Sequence, residues 1–198
     1  MFWAKGWPGA WNPWVSKAGD NGTGWQLRPI NTGPNTTFTM RGTGGIDDFS
    51  SNFGSNDGKW HHYAGTWDGT SFTRNLYVDG ALRNTDFGGQ LYTLPSTSAL
   101  AIGARYNGAA NGSFFTGLIY DVRIYNYPLT QSQIIADGNV PPPFTSENIG
   151  GGQLVLTWPV GTLLEATNLL GPWTTNSTVS PATIDMTGPQ RFFRVKNP

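Results

Sequence analysis

The stretch Asp57-Gly-Lys-Trp-His-His-Tyr-Ala-Gly-Thr-Trp-Asp-Gly69, followed by Arg74-Asn-Leu-Tyr-Val-Asp-Gly-Ala-Leu-Arg83, decides the reading of this chain. Trp60–Trp67 and Arg74–Val78 are short runs of β-favouring residues bounded by Asp-Gly pairs, the pattern of strands joined by tight turns. Asp57-Gly58, Asp68-Gly69 and Asp79-Gly80 each supply a glycine able to take positive φ, as hairpins require. Asn75 to Arg83 reads as a hairpin built around Asp79-Gly80. The same rhythm extends outward through Phe2–Trp7, Gly24–Pro29, Thr37–Arg41, Ala99–Ala104 and Phe114–Tyr125. Gly, Asn and Asp clusters separate these runs at the roughly 8–12-residue spacing of a sandwich. The expectation for residues 1–138 is an all-β fold, an antiparallel β-sandwich.

Helical signal is confined to Thr130-Gln-Ser-Gln-Ile-Ile-Ala-Asp137. Thr130 can cap a short helix there, Ile134 and Ile135 face the body, and Gly138 ends it. Pro141-Pro-Pro143 is a stiff extended spacer that continues neither a helix nor a central strand. Residues 139–143 are accordingly read as a linker, and 144–198 as a small β module with runs Gln153–Trp158, Thr162–Ala166, Ala182–Met186 and Gln190–Lys196. So short a unit buries only a small core and is expected to lean on a neighbour. In Arg191-Phe-Phe-Arg194, alternation sends Phe192 and Phe193 to opposite faces.

Composition narrows the function classes. Charged residues make up 12% of the 198, formal net charge is zero, and the 12 Lys and Arg are scattered along the sequence. No basic stripe exists to hold a phosphate backbone, which argues against nucleic acid. With no cysteine, disulfides, thiolate metal sites and thiol nucleophiles drop out, so any metal would sit on oxygen or imidazole. No run approaches the ~20 apolar residues that span a bilayer, and no signal peptide is present in the sequence. Met1 is followed at once by Phe-Trp-Ala-Lys-Gly-Trp7, which reads as the inside of a strand. The chain is therefore expected to begin partway into its domain.

Four motifs in order, Asp57–Gly69, Leu76-Tyr-Val-Asp-Gly80, Ala101-Ile-Gly103 and Phe115-Thr-Gly-Leu-Ile-Tyr-Asp-Val-Arg-Ile-Tyr-Asn126 with Leu129-Thr130, resemble the laminin G-like jelly-roll family of the concanavalin A-like lectin and glucanase superfamily. The resemblance covers residues 1–138 and implies a jelly-roll sandwich shared by lectins, adhesion domains and some glycoside hydrolases. It implies one or two further strands ahead of Phe2, whose absence would expose a sheet edge to self-association. It also implies a structural calcium close to Asp121, although Tyr120 stands where the family commonly has an acidic residue. Leu156-Thr-Trp-Pro159, Leu163 to Trp173 and Phe192-Phe-Arg194 resemble a C-terminal repeat of exported bacterial proteins. A secreted or cell-surface setting follows from that likeness.

Candidate site residues come in three groups. Exposed aromatic faces stack on sugar rings while nearby polar groups bond the hydroxyls. Trp3 and Trp25 fall within strand runs and read as core. Trp7, Trp11 and Trp14, in or beside the turn-rich Pro8–Pro13 stretch, divide evenly between core and a solvent-facing platform, with Tyr106 and Asn107 as further contacts. For Ca2+, the oxygen-bearing candidates are Asp47, Asp48 and Asp121, with a solvated turn as the competing reading for the first two. His61 and His62, adjacent on a strand, point to opposite faces and read as packing residues before catalytic ones.

Three functions stay open. The first is a non-catalytic carbohydrate-binding or adhesion module of a larger exported bacterial protein, with a polysaccharide or glycan as partner. The second is a calcium-dependent hydrolase of a glycoside, ester or lactone built from Asp47, Asp48 and His61 or His62. The third is a structural spacer. Both glutamates, Glu147 and Glu165, lie in the tail, so the carboxylate pair that a retaining glycosidase sets ~5 Å apart is missing from the sandwich. No Gly-x-Ser-x-Gly elbow occurs either.

Overall fold

The computed structural model describes residues 1–17, 24–42, 45–87, 99–107, 110–138, 145–158, 161–176 and 178–196. The side chains of 45–47, 106, 107, 110–112, 145, 147 and 148 lie outside that description, as does the linker 139–143. The chain divides into two compact units, Met1–Val78 with Leu82–Leu129, and Asp79–Ala81 with Thr130–Pro198.

Strands of the first unit are β1 (Phe2–Lys5), β2 (Val15–Ser16), β3 (Gly24–Pro29), β4 (Thr36–Gly42), β5 (Gly45–Asp47) and β6 (Trp60–Asp68). They continue with β7 (Thr73–Val78), β8 (Ala81–Phe87), β9 (Ala101–Ile102), β10 (Arg105–Asn107), β11 (Ala110–Gly112) and β12 (Leu118–Tyr120). Two five-stranded sheets, ordered β12-β1-β6-β7-β8 and β5-β4-β3-β2-β9, form the jelly-roll sandwich. All pairings described are antiparallel.

Period-2 alternation decides which side chains meet between the sheets. Phe2, Ala4, Tyr63, Leu76 and Val78 from one sheet close on Val15, Leu27 and Phe38 from the other, with Trp14 among them. Trp14 is fully buried, stacked on Tyr63 with centroids 4.6 Å apart, and touches Phe2 at 6.2 Å. Gly65 makes this close approach workable: a Cβ built there would lie 2.5 Å from the Phe38 ring of the opposite sheet. Arg74, 1% exposed, ties the layers together by donating from Nη1 to the Phe38 carbonyl (3.0 Å) and from Nη2 to Asp86 (2.6 Å).

Turn chemistry matches expectation at two of three Asp-Gly pairs. Gly58 and Gly80 take φ of 76° and 72°, and Asp79 (φ 53°) completes the β7–β8 hairpin. Gly69 is not in the left-handed region. The β6–β7 turn instead bends at Phe72 (φ 52°), with the Asp68 carboxylate accepting from the Thr70 amide and the Ser71 hydroxyl. The run Phe114–Tyr125 contracts to β12, and Asp121 (φ 55°) interrupts the extended backbone directly after it. Since β1 pairs with both β12 and β6, the sheet edge on that side is β12 itself, where Leu118 and Tyr120 are exposed.

In the second unit, helix α1 (Gln131–Asp137) has the full capping box. Thr130 accepts from the Gln133 amide, Gln133 accepts from the Thr130 amide, and Ile134 and Ile135 are buried. Gln131 donates to the Gly80 carbonyl (2.8 Å), and α1 groups with the Asp79–Ala81 turn. Strands β13 (Thr145–Gly150), β14 (Gln153–Thr157), β15 (Thr162–Ala166), β16 (Thr174–Thr175), β17 (Ala182–Asp185) and β18 (Phe192–Lys196) form two three-stranded sheets, β13-β14-β17 and β16-β15-β18. Their core is Leu156, Trp158, Leu163, Ala182 and Ile184, with Phe193 packed against it.

Candidate functional site

On β3 and β4 the residues between the core positions point to the opposite face of the sheet, and they are polar. Gln26 stands beside Thr39, Arg28 beside Thr37 and Arg41 beside Gly24, while Ser16 of β2 extends the Gln26–Thr39 row. Every one of these side chains apart from glycine is buried. Buried polar groups demand partners, and Asp48 supplies one. Its carboxylate takes a bidentate ion pair from Arg28 Nη2 at 2.7 and 2.8 Å and a short hydrogen bond from the Thr39 hydroxyl. Thr37 in turn accepts from the Phe49 amide (3.2 Å), which holds the segment after Asp48 onto the sheet.

Trp11 covers this face. A turn closed by the Asn12 amide donating to the Gly9 carbonyl (3.0 Å) places Trp11 at φ 63°. Its ring lies 4.6 Å from the Arg28 guanidinium carbon, and the residue is 39% exposed. Arg105 of β10 donates to the Trp11 carbonyl. Burial is the main influence holding the Arg28 guanidinium below its ordinary pKa; Asp48 opposes it, while Arg41 and Arg105 add to it. The group stays charged at any physiological pH.

The three clustered tryptophans thus separate. Trp14 is a core residue with no solvent-facing surface, which corrects the platform reading at that position. Trp7 is partly buried with its ring edge-on to Trp14 (5.2 Å, 79°). Trp11 alone of the three joins the polar face. Trp25 packs against the core next to Phe38 (6.2 Å) as expected. Trp3 does not: it sits on the outer side of its sheet, register partner of His62, with the rings 5.2 Å apart.

The two acidic candidates whose side chains are described, Asp48 and Asp121, each pair with an arginine. Asp48 is committed to Arg28 and Thr39, and Asp121 to Arg123 through two bonds of 2.8 Å. The side chains of Asp47, Tyr106 and Asn107 lie outside the described residues, although β10 brings Tyr106 and Asn107 next to Arg105. Among the described residues no three His, Asp or Glu side chains gather in a way that could hold a metal ion. A cation at Asp48 would have to displace a guanidinium already compensating that charge.

The histidines part as alternation requires. His61 Nε2 meets Asp57 Oδ1 at 2.9 Å, while His62, 1% exposed, lies against Trp3 on the other face. Burial, reinforced by the N-terminal ammonium, pulls the His62 pKa from 6.5 down to about 3. A folded state that refuses a proton the unfolded chain accepts loses stability as pH falls, at about 1.4 kcal/mol per pH unit for one site. The Met1 ammonium, lowered by burial from 8.0 to about 6, acts in the same direction at higher pH. Urea midpoints should fall from pH 6.5 to 4.5 by an amount worth about 2–3 kcal/mol, and His62→Gln should flatten that descent. An unchanged slope in the variant would refute the assignment to His62.

Sequence reasoning missed Arg28, Arg41, Arg105, Gln26 and Thr39. The signal was present: in Trp25-Gln-Leu-Arg28 and Thr37-Phe-Thr-Met-Arg41 polar residues alternate strictly with apolar ones, which marks a polar sheet face.

An antiparallel sandwich with one polar, arginine-bearing sheet face defines the class of this protein. Residues 3–135 match the Laminin G 3 family model, described as Concanavalin A-like lectin/glucanases superfamily, and the chain belongs to that family. Similar folds occur in domain 4 of AbnA, a GH43 extracellular arabinanase from Geobacillus stearothermophilus solved with arabinotriose (TM-score 0.56, 23% identity, 67% of this chain and 62% of that one). They occur also in the native heptameric SAP-like pentraxin from Limulus polyphemus (TM-score 0.52, 12% identity, 98% of this chain and 81% of that one). A third is the binding domain of Paraclostridial Mosquitocidal Protein 1 (TM-score 0.52, 13% identity, 93% of this chain and 53% of that one). The chain thus spans 62% of the length of the arabinanase domain. No curated protein matches it. No described helix is long and apolar enough to cross a membrane.

Proposed function

We propose that the first unit is a carbohydrate-binding module that holds a glycan without cleaving it and works as part of an exported protein. The observation carrying this reading is Trp11, a half-exposed indole fixed over a sheet face of guanidinium, hydroxyl and amide groups. Stacking on the indole and hydrogen bonding to its polar neighbours are what sugar recognition uses. The fold-level likeness to an extracellular arabinanase domain solved with arabinotriose supports the same class. Binding is favoured over hydrolysis because Asp48 is held by Arg28 and Thr39 and because the histidines lie on opposite faces of β6.

The test is titration of the whole chain with a panel of soluble polysaccharides, with and without added calcium, alongside a reducing-end assay for cleavage. Binding to at least one glycan with no release of reducing ends is the expected result. Trp11→Ala should weaken that binding at least about tenfold, equivalent to ~1.4 kcal/mol, while shifting stability by less than ~1 kcal/mol because the ring is exposed. Full affinity in Trp11→Ala would remove the indole from the contact surface, and turnover of any glycan would replace the module reading with an enzymatic one.

A further inference from the structure

We infer that Trp11 is held in its exposed place at a cost to stability, and that Arg105 is the positioning residue that fixes it there. This rests on the carbohydrate-binding reading and deepens it, by naming what keeps the contact surface in shape before a glycan arrives. The turn is the first argument. The Asn12 amide donates to the Gly9 carbonyl at 3.0 Å, which makes Trp11 the third residue of a four-residue turn, and its φ of 63° follows an Ala10 outside the left-handed region. That is the pattern of a type II turn, whose third position calls for glycine or asparagine because a Cβ there crowds the following carbonyl. Asn31, Asn52, Asp79 and Asp121 also take positive φ, as their short polar side chains allow. An indole brings no such compensation, and this one is 39% exposed, so little core packing offsets the strain. Backbone outliers of this kind persist where the surrounding structure over-determines them, and they gather at ligand contacts.

What over-determines Trp11 is the second argument. Arg105, buried on β10 and 94 residues away in sequence, donates from Nη2 to the Trp11 carbonyl. It thus holds the backbone of the strained residue itself and leaves the ring free. Arg28 lies over one face of that ring, 4.6 Å from its centroid, so the opposite face is the one on which a sugar ring can stack. Fixing the indole before binding removes an ordering cost that the complex would otherwise carry. Loss of Arg105 therefore weakens binding without removing a ligand contact.

The experiment uses the full chain in two series. In the first, melting temperatures of Trp11→Gly, Trp11→Asn and Trp11→Ala are compared; all three lack the indole, so they differ in what the backbone tolerates. Glycine and asparagine should both melt above alanine, glycine by about 2–4 °C. In the second, wild type, Arg105→Met and Arg105→Lys are labelled with 5-fluorotryptophan, and the fluorine line of residue 11 is the one absent from labelled Trp11→Phe. Methionine should broaden or shift that line. It should also weaken binding at least about tenfold for whichever of linear arabinan, xyloglucan and alginate the wild type holds. Lysine should restore part of both, since its ammonium still donates to the carbonyl. Near-ultraviolet dichroism identifies a methionine variant that fails to fold, and Arg105→Gln, too short to reach, then takes its place. Alanine melting as high as glycine would overturn the strain at Trp11. A fluorine line unmoved in the folded Arg105 variant would overturn the positioning role, and lost affinity beside that unmoved line would make Arg105 a direct contact instead. If the wild type binds none of the polymers, the carbohydrate reading fails, while the melting series and the fluorine line still decide this inference.

Discussion

Trp14→Ala should cost about 3–5 kcal/mol of stability, much of the ~5–15 kcal/mol available to a domain. The indole is fully buried, stacked on Tyr63 at 4.6 Å and contacted by Phe2 and by the edge of Trp7. Its removal opens a cavity where both sheets converge, and the surrounding rings cannot collapse without moving strands. The backbone adds to the constraint, since the Trp14 amide donates to the Leu27 carbonyl (3.1 Å) and the Trp14 carbonyl accepts from the Gly103 amide (2.7 Å). These bonds survive the substitution, so loss of packing is what the measurement isolates. Urea denaturation monitored by far-ultraviolet dichroism reads the effect directly. A change below ~1 kcal/mol would mean that the indole lies at the surface, contrary to its place between Phe2 and Tyr63.

Arg28→Met is the second large effect, about 3–5 kcal/mol, with a distinctive recovery. The guanidinium pairs with Asp48 at 2.7 Å, donates to the Pro29 carbonyl at 3.5 Å and supports the Trp11 ring at 4.6 Å. Taking it away leaves a carboxylate that is only 20% exposed without its main counter-charge. Asp48→Asn on the Arg28→Met background should therefore restore at least ~1 kcal/mol, because the uncompensated charge goes with it. Additive losses in the double variant would show that the two residues act independently. Weakened glycan binding is expected in both variants, since Trp11 loses the cation beneath it.

The polar face explains why one chain can carry many buried polar groups yet remain a sandwich of ordinary composition. Arg28 and the Thr39 hydroxyl share Asp48, and the Thr37 hydroxyl accepts from the Phe49 amide, so these groups are compensated where isolated polar groups would destabilise the sheet. The same network holds Trp11 in position, which links the packing of β3 and β4 to the proposed contact surface.

The two-sheet fold was legible because it depends on short-range patterns. The β-favouring runs Trp60–Trp67 and Arg74–Val78, Asp-Gly at the β7–β8 turn and the Thr130–Gln133 box around α1 are properties of residues a few positions apart, and each acts through local backbone geometry. The division of Trp7, Trp11 and Trp14 was not legible. All three lie within one turn-rich stretch, and their fates depend on partners distant in sequence: Trp14 on Tyr63, Trp11 on Arg28 and Arg105. Likewise the adjacent pair Asp47-Asp48 shows that acidic groups are near each other, but not that Arg28 approaches Asp48 across 20 residues of chain and neutralises it. By itself, then, the sequence determined the sandwich, its turns and the capped helix, because those follow from periodicity and backbone preference. Only the tertiary structure decided which indole meets solvent and which carboxylate meets an arginine, because burial and ion pairing are settled by the packing of strands that are remote along the chain.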